Sequence, residues 1–159
     1  MSDGDKNIKG RNMADSRTEL DGIWKVVACD MEYQDSGARE PYFSAMPPSG
    51  YLILTPEGRM MVLLVGGDRK PGQTDEKQAA LFRTMVAYTG CYRFEADQFI
   101  TTVDVSWNET WTGTEQVRVY SLDGDRLNIV TPWMPHPTHP EHRMVRAILS
   151  FEREADAMS

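Results

Sequence analysis

Short runs of strand-forming residues follow one another at close, regular spacing along this chain, with turn-forming residues between them. The eight runs are residues 24–31, 51–54, 59–65, 91–94, 99–106, 115–120, 126–130 and 143–153. Several pairs flank short polar turns such as Thr55-Pro56-Glu57-Gly58, in which Pro and Gly suit a tight reversal. Sequential hairpins of this kind predict an all-β fold, a meander or up-and-down antiparallel barrel.

One segment has the period of a helix. Thr74 is a suitable N-cap, and Asp75 and Glu76 follow it in the first turn, where the helix dipole favours acidic side chains. The residues that then recur at helical spacing are Ala80, Leu81, Thr84, Met85 and Tyr88. Gly90 is placed to end the helix. We expect this one short helix to plug or cover an opening of the barrel.

The length of 159 residues suits one domain, and 40% hydrophobic and 26% charged residues are ordinary values for a globular protein with a core. The first 18 residues contain few apolar side chains and many Asp, Lys, Asn and Arg. They predict a flexible tail, which leaves residues 19–155 for the barrel domain.

Charge restricts the partners. The formal net charge of −7 repels phosphate backbones, and no basic stripe compensates it, so we expect neither nucleic-acid nor membrane-surface binding. No apolar run approaches the ~18 residues that a membrane span needs. The polar N-terminus has no signal-peptide pattern, and Cys29 and Cys91 are expected to be reduced. These features predict a cytoplasmic protein.

The head of the first strand carries a family signature. Gly22-Ile23-Trp24 resembles the Gly-x-Trp motif of lipocalin-type barrels, in which the indole closes one end of the barrel beneath an arginine of the last strand. The resemblance implies that Arg153 is that partner. Further segments are similar to the bacterial and fungal lipocalin-like domain family; they are residues 50–52, 55–60, 111–118 and 123–127.

This resemblance covers residues 20–153 and implies an eight-stranded barrel. Members of the family often have a His-His pair where this chain has Thr101-Thr102, so a function based on that pair is not carried over. The fold hosts carriers and enzymes alike, so the resemblance does not choose between them.

All three histidines fall in one proline-rich segment, residues 132–142. His136, His139 and His142 are spaced His-x-x-His-x-x-His, and Glu141 lies beside them. Imidazoles above a barrel mouth could serve as a general base or acid, or hold a metal. The interleaved prolines impose an extended chain, in which side chains three residues apart point to opposite sides. The metal interpretation is therefore weak, and two alternatives remain: acid–base chemistry or contact with a ligand, and a rigid mouth loop without chemistry.

Polar residues alternate along three of the predicted strands. They are Thr102, Asp104 and Ser106 on one, Gln116, Arg118 and Tyr120 on the next, and Asn128 on the third. Strand alternation places each set on one side of the sheet. That side is either the solvated outer wall or a polar lumen. In a lumen, Asp104 would pair with Arg118, and Tyr120 would be a proton or hydrogen-bond donor.

Aromatic and thioether side chains supply candidate cavity walls. Trp107, Trp111 and Trp133 fall in or beside connections that we expect near an opening of the barrel. The other candidates are Tyr51, Tyr92 and Met60. Each of these residues is either part of the core or part of a ligand-binding wall.

Two functional hypotheses follow. In the first, the protein is a cofactor-independent lyase, isomerase or cyclase acting on a small apolar or aromatic metabolite. His136 or His139 would be the base, Asp104 a paired or alternative base, and Arg118 and Tyr120 the anion stabilisers. The sequence contains no phosphate loop, nucleophile elbow, His-Glu-x-x-His or Cys-x-x-Cys motif, and we expect no cofactor. In the second hypothesis the protein is a carrier or sensor without turnover.

One strand predicts an additional contact. Met61 and Leu63 alternate with Met60, Val62 and Leu64, so the strand is apolar on both faces. We expect either the helix or a second copy of the chain to cover the outer face, which makes a homodimer a candidate.

Overall fold

The computed structural model describes residues 19–136 and 141–155. The strands within these residues are β1 (Gly22–Tyr33), β2 (Arg39–Pro41), β3 (Ser49–Leu54), β4 (Arg59–Val65), β5 (Met85–Glu95), β6 (Gln98–Ser106), β7 (Glu115–Asp123), β8 (Arg126–Val130), β9 (Met134–Pro135) and β10 (Met144–Arg153). One α-helix, α1, spans Asp75–Arg83, and a 3₁₀ turn spans Glu109–Trp111.

The strands form a closed barrel. Neighbours along the chain pair in antiparallel fashion from β3 to β8, β3 also pairs with β1, and β8 pairs with β10. The sheet closes because β1 also pairs with β10, in a register that runs from Trp24 opposite Arg153 to Tyr33 opposite Val145. The eight long strands in the described part of the chain thus confirm the predicted eight-stranded barrel, and the short strands β2 and β9 extend its rim.

The two ends of the barrel differ. At the first, tight hairpins join β3 to β4, β5 to β6 and β7 to β8, and the predicted turn at 55–58 is confirmed by a hydrogen bond from the Gly58 N–H to the Thr55 carbonyl (3.0 Å). At the second, the connections are longer and include α1 and the 3₁₀ turn. The first end is packed solid, and the second is open.

Trp24 and Arg153 close the packed end. The Arg153 guanidinium carbon lies 4.2 Å from the centre of the fully buried Trp24 ring, which confirms the pairing implied by the resemblance. Arg153 also donates hydrogen bonds to the carbonyls of Asp21 (2.7 Å) and Glu19, and the Trp24 indole N–H donates to the Leu20 carbonyl (2.9 Å). One cation therefore ties the chain entry to the last strand.

The helix is shorter than its pattern predicts. It begins after Thr74, whose hydroxyl accepts from the Lys77 N–H as expected of an N-cap, but it ends at Arg83. The prediction that Met85 and Tyr88 continue the helix and that Gly90 ends it is wrong, because these residues belong to β5. Residues 85–91 pair with β4 through a continuous register, and these ladder bonds outweigh the local helical spacing.

Gly90 has a different role from the one predicted. It lies at a bulge where β5 pairs with β6, and Asp104 is the extra residue on the β6 side. A Cβ atom at residue 90 would lie 2.0 Å from the carbonyl oxygen of Thr102. Only glycine lets the two backbones approach this closely.

The helix does not cover the apolar outer face of β4. Met60, Val62 and Leu64 point inward and are buried, whereas Met61 is 51% exposed and Leu63 is 50% exposed. The prediction of two apolar faces on this strand is confirmed. No residue of α1 is buried, and its ring contact with the barrel is Phe82 against Trp107 at the open end. No helix within residues 19–136 and 141–155 has the length and apolar content needed to cross a membrane.

The contacts of Arg153 predict a stability effect. We expect Arg153→Met to lower the free energy of unfolding by about 2–4 kcal/mol, because it removes two charge-assisted hydrogen bonds and a cation–π contact. Arg126→Met is the matched control, since Arg126 makes an exposed ion pair with Glu152 on the adjacent strand and should cost less than about 1 kcal/mol. Urea denaturation measures both. Equal losses would show that Arg153 does not close the barrel end.

Candidate functional site

The open end of the barrel leads into a cavity of about 570 Å³. This volume falls within the range of small-molecule binding pockets. Its floor is the packed core around Phe99 and Phe151, and its rim is formed by the long connections. The inner strand residues cannot fill this half of the barrel, and the space between them is the cavity.

Most of the cavity wall is apolar. The aliphatic and thioether residues that line it include Met31, Leu52, Met60, Val62, Leu64, Val86, Ile129, Val145 and Leu149. The aromatic residues that line it are Tyr42, Phe43, Tyr88, Phe99, Trp107, Trp111, His136 and Phe151. Trp107 and Trp111 touch each other edge to face with centroids 5.1 Å apart, and Tyr88 lies 5.3 Å from Trp111. These three rings form an aromatic wall beside the mouth.

Among the described residues, Arg118 is the one side chain with a formal charge that is buried on this wall. It is 8% exposed. Its Nη1 donates to the carbonyl of Val117 (2.7 Å), and its Nη2 makes a longer contact with Oε1 of Gln116 (3.4 Å). The guanidinium carbon lies 6.0 Å from the centre of the Tyr88 ring. No carboxylate of the described residues forms an ion pair with it.

The polar strand faces do not all point the same way. On β7, Gln116, Arg118 and Tyr120 point inward, whereas on β6 the side chains of Thr102 and Asp104 are exposed. Asn128 on β8 lies between the buried residues Leu127 and Ile129 and therefore points outward. The lumen interpretation holds for β7, and the outer-wall interpretation holds for β6 and β8.

Asp104 consequently does not pair with Arg118. It lies on the outer wall, where both carboxylate oxygens accept hydrogen bonds from Arg59 (3.1 and 2.8 Å). The Arg59 guanidinium holds the pKa of the Asp104 carboxyl below its usual range. Asp104 is thus an ionised, solvated surface group outside the cavity, and the Asp104–Arg118 pair that the lumen interpretation predicts is not formed.

Further basic groups line the cavity near its mouth. Arg83 at the end of α1, Arg146 on β10 and His136 after β9 all contribute to the wall. Arg146 forms an ion pair with Glu32 (2.8 Å) and lies over the Trp133 ring at 4.3 Å. The His136 ring stacks on Tyr33 with centroids 6.0 Å apart. His139 lies outside the described residues.

The chain matches a family model described as a lipocalin-like domain over residues 21–154. It belongs to the lipocalin-like domain family. No protein with a curated description matches the chain. Membership agrees with the closed barrel and its end-closing Trp24, and it indicates a small hydrophobic ligand in the cavity.

Within this lipocalin-like barrel, the remaining predicted wall residues separate into two groups. Trp107, Trp111 and Met60 line the cavity, together with His136 and Arg118. Tyr51 lies on the outer face of β3, and Trp133 lies under Arg146 outside the cavity wall. Tyr92 is buried in the packed half, with its hydroxyl 3.4 Å from the Thr55 carbonyl, and Tyr120 packs on Phe94 and Phe99.

Two ionisable groups on the cavity wall, the Cys29 thiol and the Tyr42 hydroxyl, stay protonated and neutral. Burial, reinforced by the charge of Asp30, raises the pKa of the Cys29 thiol to about 12. Desolvation raises the pKa of the Tyr42 hydroxyl, although the residue as a whole is partly exposed, and the nearby Arg118 opposes that shift. Cys29 and Cys91 are both free thiols. Neither Cys29 nor Tyr42 therefore supplies a negative charge to the cavity at neutral pH.

Sequence reasoning missed several lining residues. A bulge between Val26 and Ala28 shifts the register of β1. The alternation that begins at Trp24 therefore does not predict that Cys29 and Met31 point inward. The helical spacing predicts Tyr88 in the helix, although Tyr88 lies on β5 and points inward on the same side as Tyr92. Tyr42 and Phe43 follow a three-residue strand with no hydrophobic alternation. In residues 19–136 and 141–155, no group of three or more His, Cys, Asp or Glu side chains is placed to hold a metal ion.

Proposed function

We propose that this lipocalin-like domain binds a small apolar or aromatic metabolite inside its barrel. The observation that supports the proposal is the cavity of about 570 Å³ behind an aromatic wall. A mostly apolar surface of this size attracts a guest through the hydrophobic effect, and rings such as Trp107 and Trp111 favour a flat one.

A binding experiment tests this proposal with N-phenyl-1-naphthylamine, an uncharged dye that fluoresces in apolar surroundings. We expect saturable binding, with energy transfer from Trp107 and Trp111 to the dye. Ala147→Phe places a ring into the cavity wall and should weaken binding by about tenfold or more. Ala38→Phe makes the same change at an exposed turn and is the matched control.

Absence of saturable fluorescence with the unmodified protein would contradict the proposal. Equal loss of affinity in both variants would place the dye outside the barrel and would contradict it as well.

The second candidate function is cofactor-independent acid–base catalysis on that ligand, of lyase, isomerase or cyclase type. It is favoured by the presence of His136 and Arg118 on the wall of one cavity. A neutral imidazole can remove a proton from a bound carbon acid, and a guanidinium can stabilise the oxyanion that results. Asp104 has no part in this scheme because it faces solvent.

Turnover is tested by incubating the protein with a metabolite extract of its source cells and following all masses against a heat-denatured control. The catalytic candidate predicts that one compound is consumed while a new one accumulates, and that His136→Gln slows this by about a hundredfold or more. A compound that is retained unchanged by both proteins would instead assign the domain as a carrier. The cytoplasmic location expected from the sequence stays a prediction.

We also propose that two copies associate through the outer apolar patch, defined as Ile23, Tyr51, Ile53, Met61 and Leu63. These residues are neighbours in the register of β1, β3 and β4, and four of them are at least 40% exposed. The helix does not cover this face, which leaves a second copy as its cover. The patch contains no acidic residue, although the chain as a whole carries −7.

Sedimentation velocity tests the association. We expect a dimer that Leu63→Glu converts to a monomer, because the variant places a charge within the patch. Val119→Glu is the control, since Val119 is exposed on β7 outside the patch. The dimer should tighten with added salt, which screens repulsion between two acidic copies. A monomer at all concentrations and salt conditions would refute the proposal.

A further inference from the structure

We infer that the molecule bound in the cavity is an organic anion, with its apolar body in the barrel and its negatively charged group on Arg118. The inference rests on the proposed binding function and names the class of ligand. It is carried by a buried charge for which the described chain provides no counter-charge.

Arg118 makes few hydrogen bonds for a buried guanidinium. A guanidinium has five N–H donors, and the two contacts to Val117 and Gln116 use two of them. Both acceptors are neutral. Buried charges in proteins are normally paired, because removing an ion from water is costly unless an opposite charge replaces the lost solvation. Arg118 is 8% exposed, faces the cavity and lacks such a partner among the described residues.

Strand β7 carries apolar residues on both faces and still directs Arg118 into the barrel. Val117 and Val119 lie on one face, whereas Tyr120 and Leu122 share the other face with Arg118 and pack against the core. Arg118 is opposite Phe99 and shares its inward face, while Val119 is 37% exposed. A buried cation on this inner face departs from the hydrophobic pattern, and such departures are typical of functional sites.

The charges around the cavity are mostly positive. Among the residues that the structure describes, the charged side chains that line it are Arg83, Arg118 and Arg146, and none is Asp or Glu. Glu32 neutralises Arg146 locally, whereas Arg83 at the mouth has no ion pair in the described part of the chain. This basic lining contrasts with the net charge of −7 for the whole chain. It attracts an anion through the mouth and toward Arg118.

The geometry of the guanidinium indicates which anions suit it. Its planar set of N–H groups matches the oxygens of a carboxylate or a similar oxyacid, and it forms charge-assisted bonds that a neutral polar group cannot equal. The neutral Cys29 thiol and Tyr42 hydroxyl on the same wall do not compete for it as counter-ions. An aromatic or aliphatic acid therefore fits the site better than the corresponding amide or hydrocarbon.

The experiment compares two dyes that differ by one anionic group. The first, 1-anilinonaphthalene-8-sulfonate, carries a sulfonate, and N-phenyl-1-naphthylamine is the same molecule without it. Both are titrated by fluorescence into the full chain and into Arg118→Met. We expect the variant to bind the sulfonate dye at least about tenfold more weakly and the uncharged dye within about twofold of the original affinity.

Two further variants separate charge from structure. Arg59→Met removes one positive charge from the outer wall and should change neither affinity, because Arg59 pairs with Asp104 in solvent. Arg118→Lys keeps the charge but loses the planar donor set, so its affinity for the sulfonate dye should lie between those of the original protein and Arg118→Met. Equal effects of Arg59→Met and Arg118→Met would reduce the preference to net charge and overturn the inference.

Thermal unfolding without dye provides the second readout. A side chain that serves the ligand should not be needed for folding, so we expect Arg118→Met to unfold at the same temperature or higher, since an apolar side chain replaces an unpaired buried charge. A fall of more than about 5 °C, or failure to fold, would assign Arg118 a structural role and reject the inference.

The outcomes distinguish the two levels of the proposal. If the unmodified protein binds neither dye, the binding function itself fails and the inference fails with it. If it binds both dyes and Arg118→Met leaves the sulfonate affinity unchanged, the binding function stands and the anionic ligand is rejected. Selective loss of the sulfonate dye, with unchanged or raised stability, supports both.

Discussion

The pairing of the first barrel strand with the last is the interaction on which the rest of this structure depends. Because β1 joins β10, the backbone groups of both edges find partners, and every strand must direct alternate residues toward one enclosed interior. The contact between Trp24 and Arg153 lies at the start of that seam and ties the entering chain to the last strand. Without closure there would be a sheet with two faces but no cavity.

The cavity follows from a difference between the two ends of the barrel. Tight hairpins bring large side chains together at one end, where Trp24, Phe99, Leu127 and Phe151 are almost completely buried. At the other end the longer connections stand apart, and the inward residues leave an open space. An eight-stranded barrel has an interior that is either just filled by side chains or just able to hold one small molecule. This chain does the first at one end and the second at the other.

Arg118 is the residue at which the requirements of folding differ from those of the proposed ligand binding. A barrel interior built for stability alone would leave the arginine in water. The register of β7 against β6 prevents this, since it places Arg118 beside Phe99 and faces Gln116 toward Thr101. A folded protein can retain such a residue because the rest of the core compensates for it. The charge is available inside the cavity, in surroundings where an electrostatic contact is stronger than in water.

The sequence by itself determined the central part of each of the eight long strands, the tight turns, the N-cap of the helix, the two-faced apolar strand β4 and the partnership of Trp24 with Arg153, because each depends on local spacing or on a motif. Only the tertiary structure decided the rest. Alternation shows that Asp104 shares a side with Thr102, and Arg118 with Tyr120, but which side faces inward is set by the register with neighbouring strands. The bulge beside Gly90 and the ladder between β4 and β5 ended the helix early and turned Asp104 toward Arg59. A period of two fixes which residues lie together, whereas only closure of the barrel determines which of them meet the ligand.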